Sequence, residues 1–241
     1  MGDLRKLLTA LIMVLIIGSC QTYENKATIT EVAYTGALRT IMAGNIQATI
    51  SLDSLSNRKH LYALGAVENL KGEVQIFNSE PSNSFVVNGN LQIKDAYKVN
   101  AALLVYAIVQ EWREFKLENI TTKDELENII FETAKTNGIN MDEPFPFLLN
   151  GQVASLNWHV INWKEGDTIH SHEKHKTSGL NGVLNQTDVQ VLGFYSTKHK
   201  AVFTHHTTNM HMHVKTADNT IAGHIDDVVV GEQIMLKLPK Q

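Results

Sequence analysis

The chain has 241 residues, a formal net charge of −4, 43% hydrophobic and 19% charged residues, and a single cysteine. This composition is ordinary for a globular protein and excludes a fibrous or low-complexity chain. The charge gives no electrostatic footprint for nucleic acid, so no nucleic-acid partner is expected, and one cysteine excludes a disulfide framework.

The first twenty residues, "MGDLRKLLTALIMVLIIGSC", have the layout of a secretory signal peptide. Arg5 and Lys6 precede an apolar run of about eleven residues, which is too short to cross a bilayer as a helix. The segment resembles the lipobox of bacterial lipoproteins, in which the cysteine becomes the lipidated N-terminus. The alternative is an ordinary signal peptide. We expect an exported lipoprotein of the cell envelope that contacts the membrane only through a lipid on Cys20.

The early part of the mature chain predicts short strands and a short helix. Alternating β-branched residues at 28–34 predict a strand, and residues 36–44 predict a helix. Residues 61–77 predict two strands around a turn. The pair Asn88-Gly89 lies between apolar runs and is typical of a two-residue hairpin turn, because both residues adopt positive φ readily.

Two longer segments follow. The apolar run at 101–115 fits either a strand or a buried helix, because periodicity does not distinguish them. Residues 121–137 predict an amphipathic helix. Thr121 or Thr122 supplies the N-terminal cap, and Glu125 is placed to complete a capping box.

The sequence "PFPF" at 144–147 marks a predicted boundary. We therefore expect an N-terminal mixed α/β part over 21–145 and a β-rich, metal-binding C-terminal part over 146–241. The predicted fold class is α+β, with a mixed β-sheet and helices followed by a curled, barrel-like β-sheet. The candidate strands of the second part are residues 153–163, 189–196, 211–217 and 228–238.

Ten of the eleven histidines lie in the C-terminal part. His211 and His213 are two residues apart, so in a strand both imidazoles lie on one face. A turn at Asp218-Asn219 would form a hairpin that returns His224 to this pair. Three neutral imidazoles with an open fourth position describe a catalytic site for Zn²⁺ or another divalent metal. The alternative is a polar strand face without a metal.

A second histidine cluster, "HSHEKH", contains His170, His172 and His175. Its charged surroundings with flanking glycine and serine predict an exposed loop. We expect at most adventitious metal binding there.

The C-terminal histidines lie in a pattern that resembles the α-acetolactate decarboxylases. That family has a Gly-Phe strand, here "VLGFYS" at 191–196, followed by a His-x-His strand and a Gly-His after a turn. The N-terminal half is similar as well, because "LKGE" at 70–73 corresponds to a Leu-Asp-Gly-Glu turn of the family. The resemblance covers about residues 30–238 and is specific at these two motifs.

The resemblance implies a site and a reaction. His211, His213 and His224 would bind zinc, and Glu73 would be a catalytic carboxylate. A 2-hydroxy-3-oxo acid would chelate the metal, lose CO₂ to give an enediolate stabilised by the metal, and regain a proton from a nearby carboxylic acid. For Glu73, the alternative is an exposed turn glutamate without a catalytic role. The family also suggests a homodimer.

Two departures from the family pattern concern the site. The family has an arginine that faces the metal, and His159 stands at the corresponding position here. When protonated, His159 would supply part of that positive charge; otherwise it is a histidine paired within a strand. The family also has a C-terminal extension whose glutamate reaches the active site, and "LKLPKQ" at 236–241 lies where that extension would begin.

Three functions remain open at this point. The first is a lyase that converts acetolactate to acetoin and CO₂. The second is a metalloenzyme with another substrate on the same scaffold, which the two departures and the predicted export favour. The third is a non-catalytic lipoprotein that binds a metal or ligand.

Overall fold

The computed structural model describes residue 29, residues 31–118 and residues 120–240. The predicted signal peptide and Cys20 lie outside these residues. The described part forms thirteen strands and three α-helices. The strands are β1 Ala33–Thr35, β2 Ile50–Ser51, β3 Leu61–Val67, β4 Glu73–Phe77, β5 Glu80–Pro81, β6 Asn83–Val87, β7 Asn90–Lys94, β8 Asn100–Ile108, β9 Trp112–Leu117, β10 Phe145–Val160, β11 Leu180–Tyr195, β12 Met210–Thr216 and β13 Ala222–Pro239; the helices are α1 Leu38–Met42, α2 Lys123–Thr136 and α3 His172–Thr177.

The first sheet has the strand order β1-β8-β3-β4-β6-β7, with β2 paired to β8 and β5 paired to β4. All of its strand pairings are antiparallel, whereas a mixed sheet was expected from the sequence. The run at 101–115 forms β8 and most of β9 rather than a helix. Asn88 and Gly89 both have positive φ, as the predicted hairpin turn requires.

The second sheet curls into a closed ring, which agrees with the predicted barrel-like sheet. Strand β10 pairs with both β11 and β13, and β12 joins β11 to β13, so four strands close on themselves. Strand β9 extends the sheet by pairing with β13. The strands are longer than predicted: β10 begins at Phe145, within "PFPF", whereas the first candidate strand of this part begins at residue 153.

Helix α2 covers the ring on its apolar side. Its buried residues Leu126, Ile130 and Ala134 belong to the largest apolar cluster, together with side chains of β10–β13. The predicted capping box is present, because the Thr122 hydroxyl accepts from the Glu125 N–H and the Glu125 carboxylate accepts from the Thr122 N–H. Strand β9 belongs to the second sheet and α2 packs against it, so the change from the first sheet to the second occurs between β8 and β9. The domain boundary near residue 145 stays a prediction.

A second apolar cluster lies between the two sheets. Leu64 and Leu103 contribute from the first sheet, and Leu192 and Phe194 contribute from the second. Successive side chains of a strand point to opposite faces, so each strand at this interface has one face toward the other sheet. The polar residues on those inner faces form the site described below. No helix in the described part is long and apolar enough to span a membrane.

Candidate metal centre

The hairpin β12–β13 brings the predicted histidines together. His213 and His224 are directly opposite each other in the antiparallel register. The turn between the strands has Asn219 at φ +55, and the Asp218 carboxylate accepts hydrogen bonds from Thr216 Oγ1 at 2.6 Å and from the Thr220 N–H at 3.1 Å. The turn at Asp218-Asn219 therefore returns the chain as the sequence indicated.

A fourth imidazole joins this group from β10. His159 is opposite His224 in the β10–β13 register, and the two ring centroids are 4.7 Å apart. The centroid distances are 5.0 Å for His211–His213, 5.1 Å for His211–His224 and 5.5 Å for His213–His224. The neighbours Met212 and Ile225 point into the core of the ring, so the histidines point toward the first sheet.

The tautomer of His213 follows from its hydrogen bonds. Its Nδ1 lies 3.0 Å from Oε1 of Gln75 on β4, and the Gln75 amide group donates to the Ser82 main-chain oxygen and to Ser84 Oγ. Because the amide oxygen must accept, Nδ1 of His213 carries the hydrogen. Its Nε2 is left with a lone pair, and this atom lies 3.2 Å from Nε2 of His211.

The same argument orients His159. Its Nδ1 lies 3.1 Å from both carboxylate oxygens of Asp226, which can only accept when ionised, so Nδ1–H donates and Nε2 is the nitrogen that faces other partners. Nε2 lies 3.9 Å from Oε1 of Glu73. A carboxylate that accepts a hydrogen bond from one ring nitrogen holds the imidazole in one tautomer and one orientation. Metal-ligating and catalytic histidines are usually supported in this way.

Burial keeps the central histidines neutral. Burial lowers the pKa of His211 to about 3 and lowers the pKa values of His213 and His224 well below their usual range. Each is lowered further by neighbouring histidines. Neutral imidazole is the form that binds a metal, so no proton need be displaced near neutral pH.

Glu73 lies over the histidines from the first sheet. Only 4% of the residue is exposed, so it is not the exposed turn glutamate that the sequence left open. Its Oε1 accepts from the Ile161 N–H at 3.1 Å, and its Oε2 lies 4.0 Å from His213 Nε2. Burial raises the pKa of Glu73 to about 7, against the opposing effects of His159 and of the Ile161 hydrogen bond. The carboxyl group therefore exchanges a proton in the neutral range.

These residues fit a divalent metal. Nδ1 of His224 is buried and makes no hydrogen bond within the described residues. Potential ligand atoms of His159, His224 and Asp226 all lie within 4.8 Å of one another. His211 and His213 add two nitrogen atoms 3.2 Å apart, close to the separation that a tetrahedral zinc with ~2 Å bonds imposes on two ligands. The choice of His211, His213 and His224 as the three ligands stays a prediction.

His159, His211 and His224 line a cavity of about 570 Å³ between the two sheets. This is within the usual range for small-molecule sites. Apart from Glu73, the wall on the side of the first sheet is apolar and includes Leu70, Leu103 and Gly65. A Cβ at Gly65 would lie 1.9 Å from the Leu103 main-chain oxygen, so glycine permits the close strand packing there.

The second histidine cluster is placed differently from the expectation. "HSHEKH" contributes to the short helix α3, capped by Ser171, and not to a free loop. His172 and His175 line the same cavity, and the ring of His172 lies 4.6 Å from that of His205. His170 is instead stacked on Trp163 and lies 2.9 Å from His175 through ring nitrogens.

Three contributors to the site were missed from sequence. Asp226 is two residues after His224, and Gln75 is two residues after Glu73, so strand periodicity alone put each on the face of its partner. That spacing was a usable signal. Lys123, which also lines the cavity, gave no signal, because it stands at the start of a helix far away in sequence.

The chain is similar to known proteins in both sequence and structure. A family model described as alpha-acetolactate decarboxylase matches residues 33–240. The chain belongs to the alpha-acetolactate decarboxylase family. The family and the fold support a decarboxylase-like function on a small-molecule substrate, and the family is metal-dependent. The resemblance inferred from the two sequence motifs is thereby confirmed.

Solved structures of the family share the fold over most of the chain. Alpha-acetolactate decarboxylase from Bacillus subtilis strain 168 is similar with a TM-score of 0.70 and 11% identity, covering 88% of this chain and 86% of that one. The acetolactate decarboxylase from Bacillus subtilis subspecies spizizenii is similar with a TM-score of 0.69 and 12% identity, covering 88% of this chain and 87% of that one. A Staphylococcus aureus protein of unknown function, described as similar to alpha-acetolactate decarboxylase, has a TM-score of 0.68 and 13% identity. The match covers 88% of this chain and 86% of that one. No curated protein sequence matches this chain.

Proposed function

We propose that the protein is a zinc-dependent decarboxylase of a 2-hydroxy-3-oxo acid, which converts acetolactate to acetoin and CO₂. The observation that carries this proposal is the position of Glu73. Its buried carboxyl group, with a pKa raised to about 7, lies within 4.0 Å of His213 Nε2 and 3.9 Å of His159 Nε2 at the base of the cavity. A proton donor and a set of metal ligands therefore face the same space.

The histidines of the cluster would hold the metal. His211 and His213 offer facing Nε2 atoms, and His224 offers a buried Nδ1 that makes no hydrogen bond within the described part of the chain. Nitrogen ligands of this kind suit Zn²⁺. When bound, the metal would act as a Lewis acid toward the carbonyl and hydroxyl oxygens of the substrate.

Glu73 would complete the reaction as a general acid. Breaking the bond between the carboxylate and C2 releases CO₂ and leaves an electron pair on the substrate. The carboxylic acid of Glu73 would donate its proton to that carbon and be recharged from solvent, so atoms and charge balance. A carboxyl group with a pKa near the working pH is well matched to this task. The Ile161 N–H holds the carboxyl group in place.

His159 would assist from beside Glu73. Asp226 orients the ring so that Nε2 faces Glu73 Oε1 at 3.9 Å. In this position Nε2 would take up a proton from solvent and pass it to the Glu73 carboxylate between turnovers. The arrangement supports a role for His159 beyond that of a paired strand histidine.

Acetoin formation from racemic acetolactate tests the proposal. The zinc-loaded protein should release acetoin and CO₂ in equal amounts, and Glu73→Ala should lower kcat by about a hundredfold or more, as expected for loss of a general acid. Glu80→Ala is the matched control, because Glu80 is an exposed acid of the same sheet. A wild-type protein that binds zinc but forms no acetoin would refute the assignment of this substrate.

We also propose that the protein is an exported lipoprotein anchored through Cys20. The support is the sequence alone: a basic start, a short apolar run and "IGSC" at the expected cleavage site. Mass spectrometry of the protein from a bacterial membrane fraction should show a mature chain that begins with an acylated Cys20. Cys20→Ala should retain the uncleaved N-terminus. Cleavage elsewhere without lipid would show an ordinary signal peptide instead.

A further inference from the structure

Lys123 is a cation at the cavity that neither the metal nor the proton-transfer chemistry uses. It is the first residue of α2, directly after the capping residue Thr122. Among the described residues that line the cavity, it is the only lysine or arginine. Its Nζ donates one hydrogen bond, to the main-chain oxygen of Asp226 at 2.9 Å.

The charge of Lys123 is not consumed by an ion pair. Within the described part of the chain no carboxylate oxygen lies within 4.0 Å of Nζ. Two of the nearby carboxylates have other partners: Asp226 accepts from His159, and Glu127 accepts from Thr208 and Asn209. An ammonium group has three N–H donors, so two remain for a ligand. The pKa of Lys123 is lowered from its usual value, because burial outweighs the opposing effects of Asp227, Asp226, Glu127 and Asp124.

The substrate carboxylate needs a cation of its own, because the proposed metal would act on the carbonyl and hydroxyl oxygens of the substrate. The other ionisable residues that line the cavity are six histidines and the acids Glu73, Asp124 and Asp226. A carboxylate that enters such a site loses hydration and requires a charged partner in return. This need follows from the proposed function, whose substrate carries a carboxylate.

We propose that Lys123 binds the carboxylate of the substrate and makes the site selective for 2-hydroxy acid anions over neutral analogues. The inference rests on the proposed function for the class of substrate. Because the carboxylate departs as CO₂, this ion pair is at least as strong in the ground state as in the transition state. Its loss should therefore raise KM more than it lowers kcat.

Binding of a non-reactive pair of compounds tests the role of Lys123 without relying on turnover. The probes are 2-hydroxy-2-methylpropanoate and its neutral amide, titrated calorimetrically into the zinc-loaded protein. The wild type should bind the acid more tightly than the amide. Lys123→Met, which keeps the aliphatic stem, should weaken binding of the acid by about tenfold and leave the amide unchanged. Lys123→Arg should retain the preference for the acid.

Lys71→Met is the matched control. Lys71 Nζ also donates to a main-chain oxygen, that of Trp163 at 2.6 Å, but the residue does not line the cavity. This variant should bind both probes like the wild type. Metal content and thermal unfolding show whether each variant is folded, and Lys123→Gln serves if the methionine variant is not.

The outcomes separate this inference from the proposed function. A Lys123-dependent preference for the acid in a protein that forms no acetoin supports the anion site and rejects the acetolactate assignment. Equal binding of the acid by wild type and Lys123→Met overturns the role of Lys123 even if acetoin is formed. Failure of the wild type to bind the acid at all overturns it as well.

Discussion

Gln75 Oε1 accepts a hydrogen bond from Nδ1 of His213 at 3.0 Å, across 138 positions of the chain. The contact joins β4 of the first sheet to β12 of the second. Since the Gln75 amide group is tied to Ser82 and Ser84, the glutamine cannot turn its oxygen away. One hydrogen bond thus fixes the tautomer of His213 and aims its Nε2 at the candidate metal centre.

Replacing Gln75 should weaken the metal centre. Gln75→Met removes the acceptor, so the Nδ1–H tautomer of His213 is no longer favoured. Zinc affinity, measured by competition with a chromophoric chelator, should fall by about ten- to a hundredfold, as is usual when the support of a ligating histidine is lost. Gln92→Met, on the exposed edge strand β7, should leave the affinity unchanged. Equal affinities in both variants would show that the contact serves folding alone.

Metal content should depend on His211. Its Nε2 faces that of His213 at 3.2 Å, so His211→Ala removes one of two converging ligands. Elemental analysis should find about one zinc per wild-type chain and well below that in the variant. Chelation should also lower the melting temperature of the wild type, because a ligand at about a hundred times its Kd stabilises by about 2.7 kcal/mol.

His60→Ala provides the comparison for the metal measurement, since His60 is the one histidine outside the C-terminal part. It should retain the wild-type zinc content and the response to chelation. Should His211→Ala hold as much zinc as His60→Ala, the ligands would have to be sought in the group of His159, His224 and Asp226.

Asp226 and Asp227 allow a neighbouring pair of variants. The Asp226 carboxylate lies 3.1 Å from His159 Nδ1, whereas Asp227 accepts from the Val228 N–H at 2.9 Å and lies outside the cavity lining. Asp226→Asn weakens the interaction that orients His159, and kcat/KM for acetolactate should fall about tenfold. Asp227→Asn should retain wild-type activity. Similar losses in the two variants would argue against a specific role for Asp226.

The metal-free protein should lose stability in mild acid. Burial holds the pKa of His211 at about 3, below the unfolded value of 6.5, and lowers the pKa values of His213 and His224 as well. Below the unfolded pKa the unfolded chain therefore binds more protons than the folded one. The free energy of unfolding should fall as pH decreases below about 6.5, with each histidine contributing at most about 1.4 kcal/mol per pH unit. Glu73, whose pKa is raised from 4.5 to about 7, opposes this fall by at most the same amount as one histidine, so the three histidines set the sign of the slope.

Urea unfolding of the chelator-treated protein between about pH 7 and pH 5 measures this slope. His211→Gln removes one buried titrating group and should give a shallower slope than the wild type. A free energy of unfolding that stays constant over this range would mean that the histidines are not held neutral by burial.

The local features of the fold follow from sequence alone. The capping box of Thr122 and Glu125, the Asn88-Gly89 turn and the hairpin that returns His224 to His213 each depend on residues close together in the chain. Strand periodicity likewise places His211 and His213 on one face. Local conformational preference and short hydrogen bonds decide these features, so a single sequence contains enough information to predict them.

The tertiary structure decided the composition of the site. Closure of β10 onto β13 puts His159 opposite His224, and packing of the first sheet against the ring brings Glu73 and Gln75 over the histidines. The start of α2 adds Lys123 to the same cavity. These contacts join residues tens of positions apart or more. They depend on how strands pair and sheets pack, and periodicity within a strand fixes which face a side chain takes but not which strand it meets.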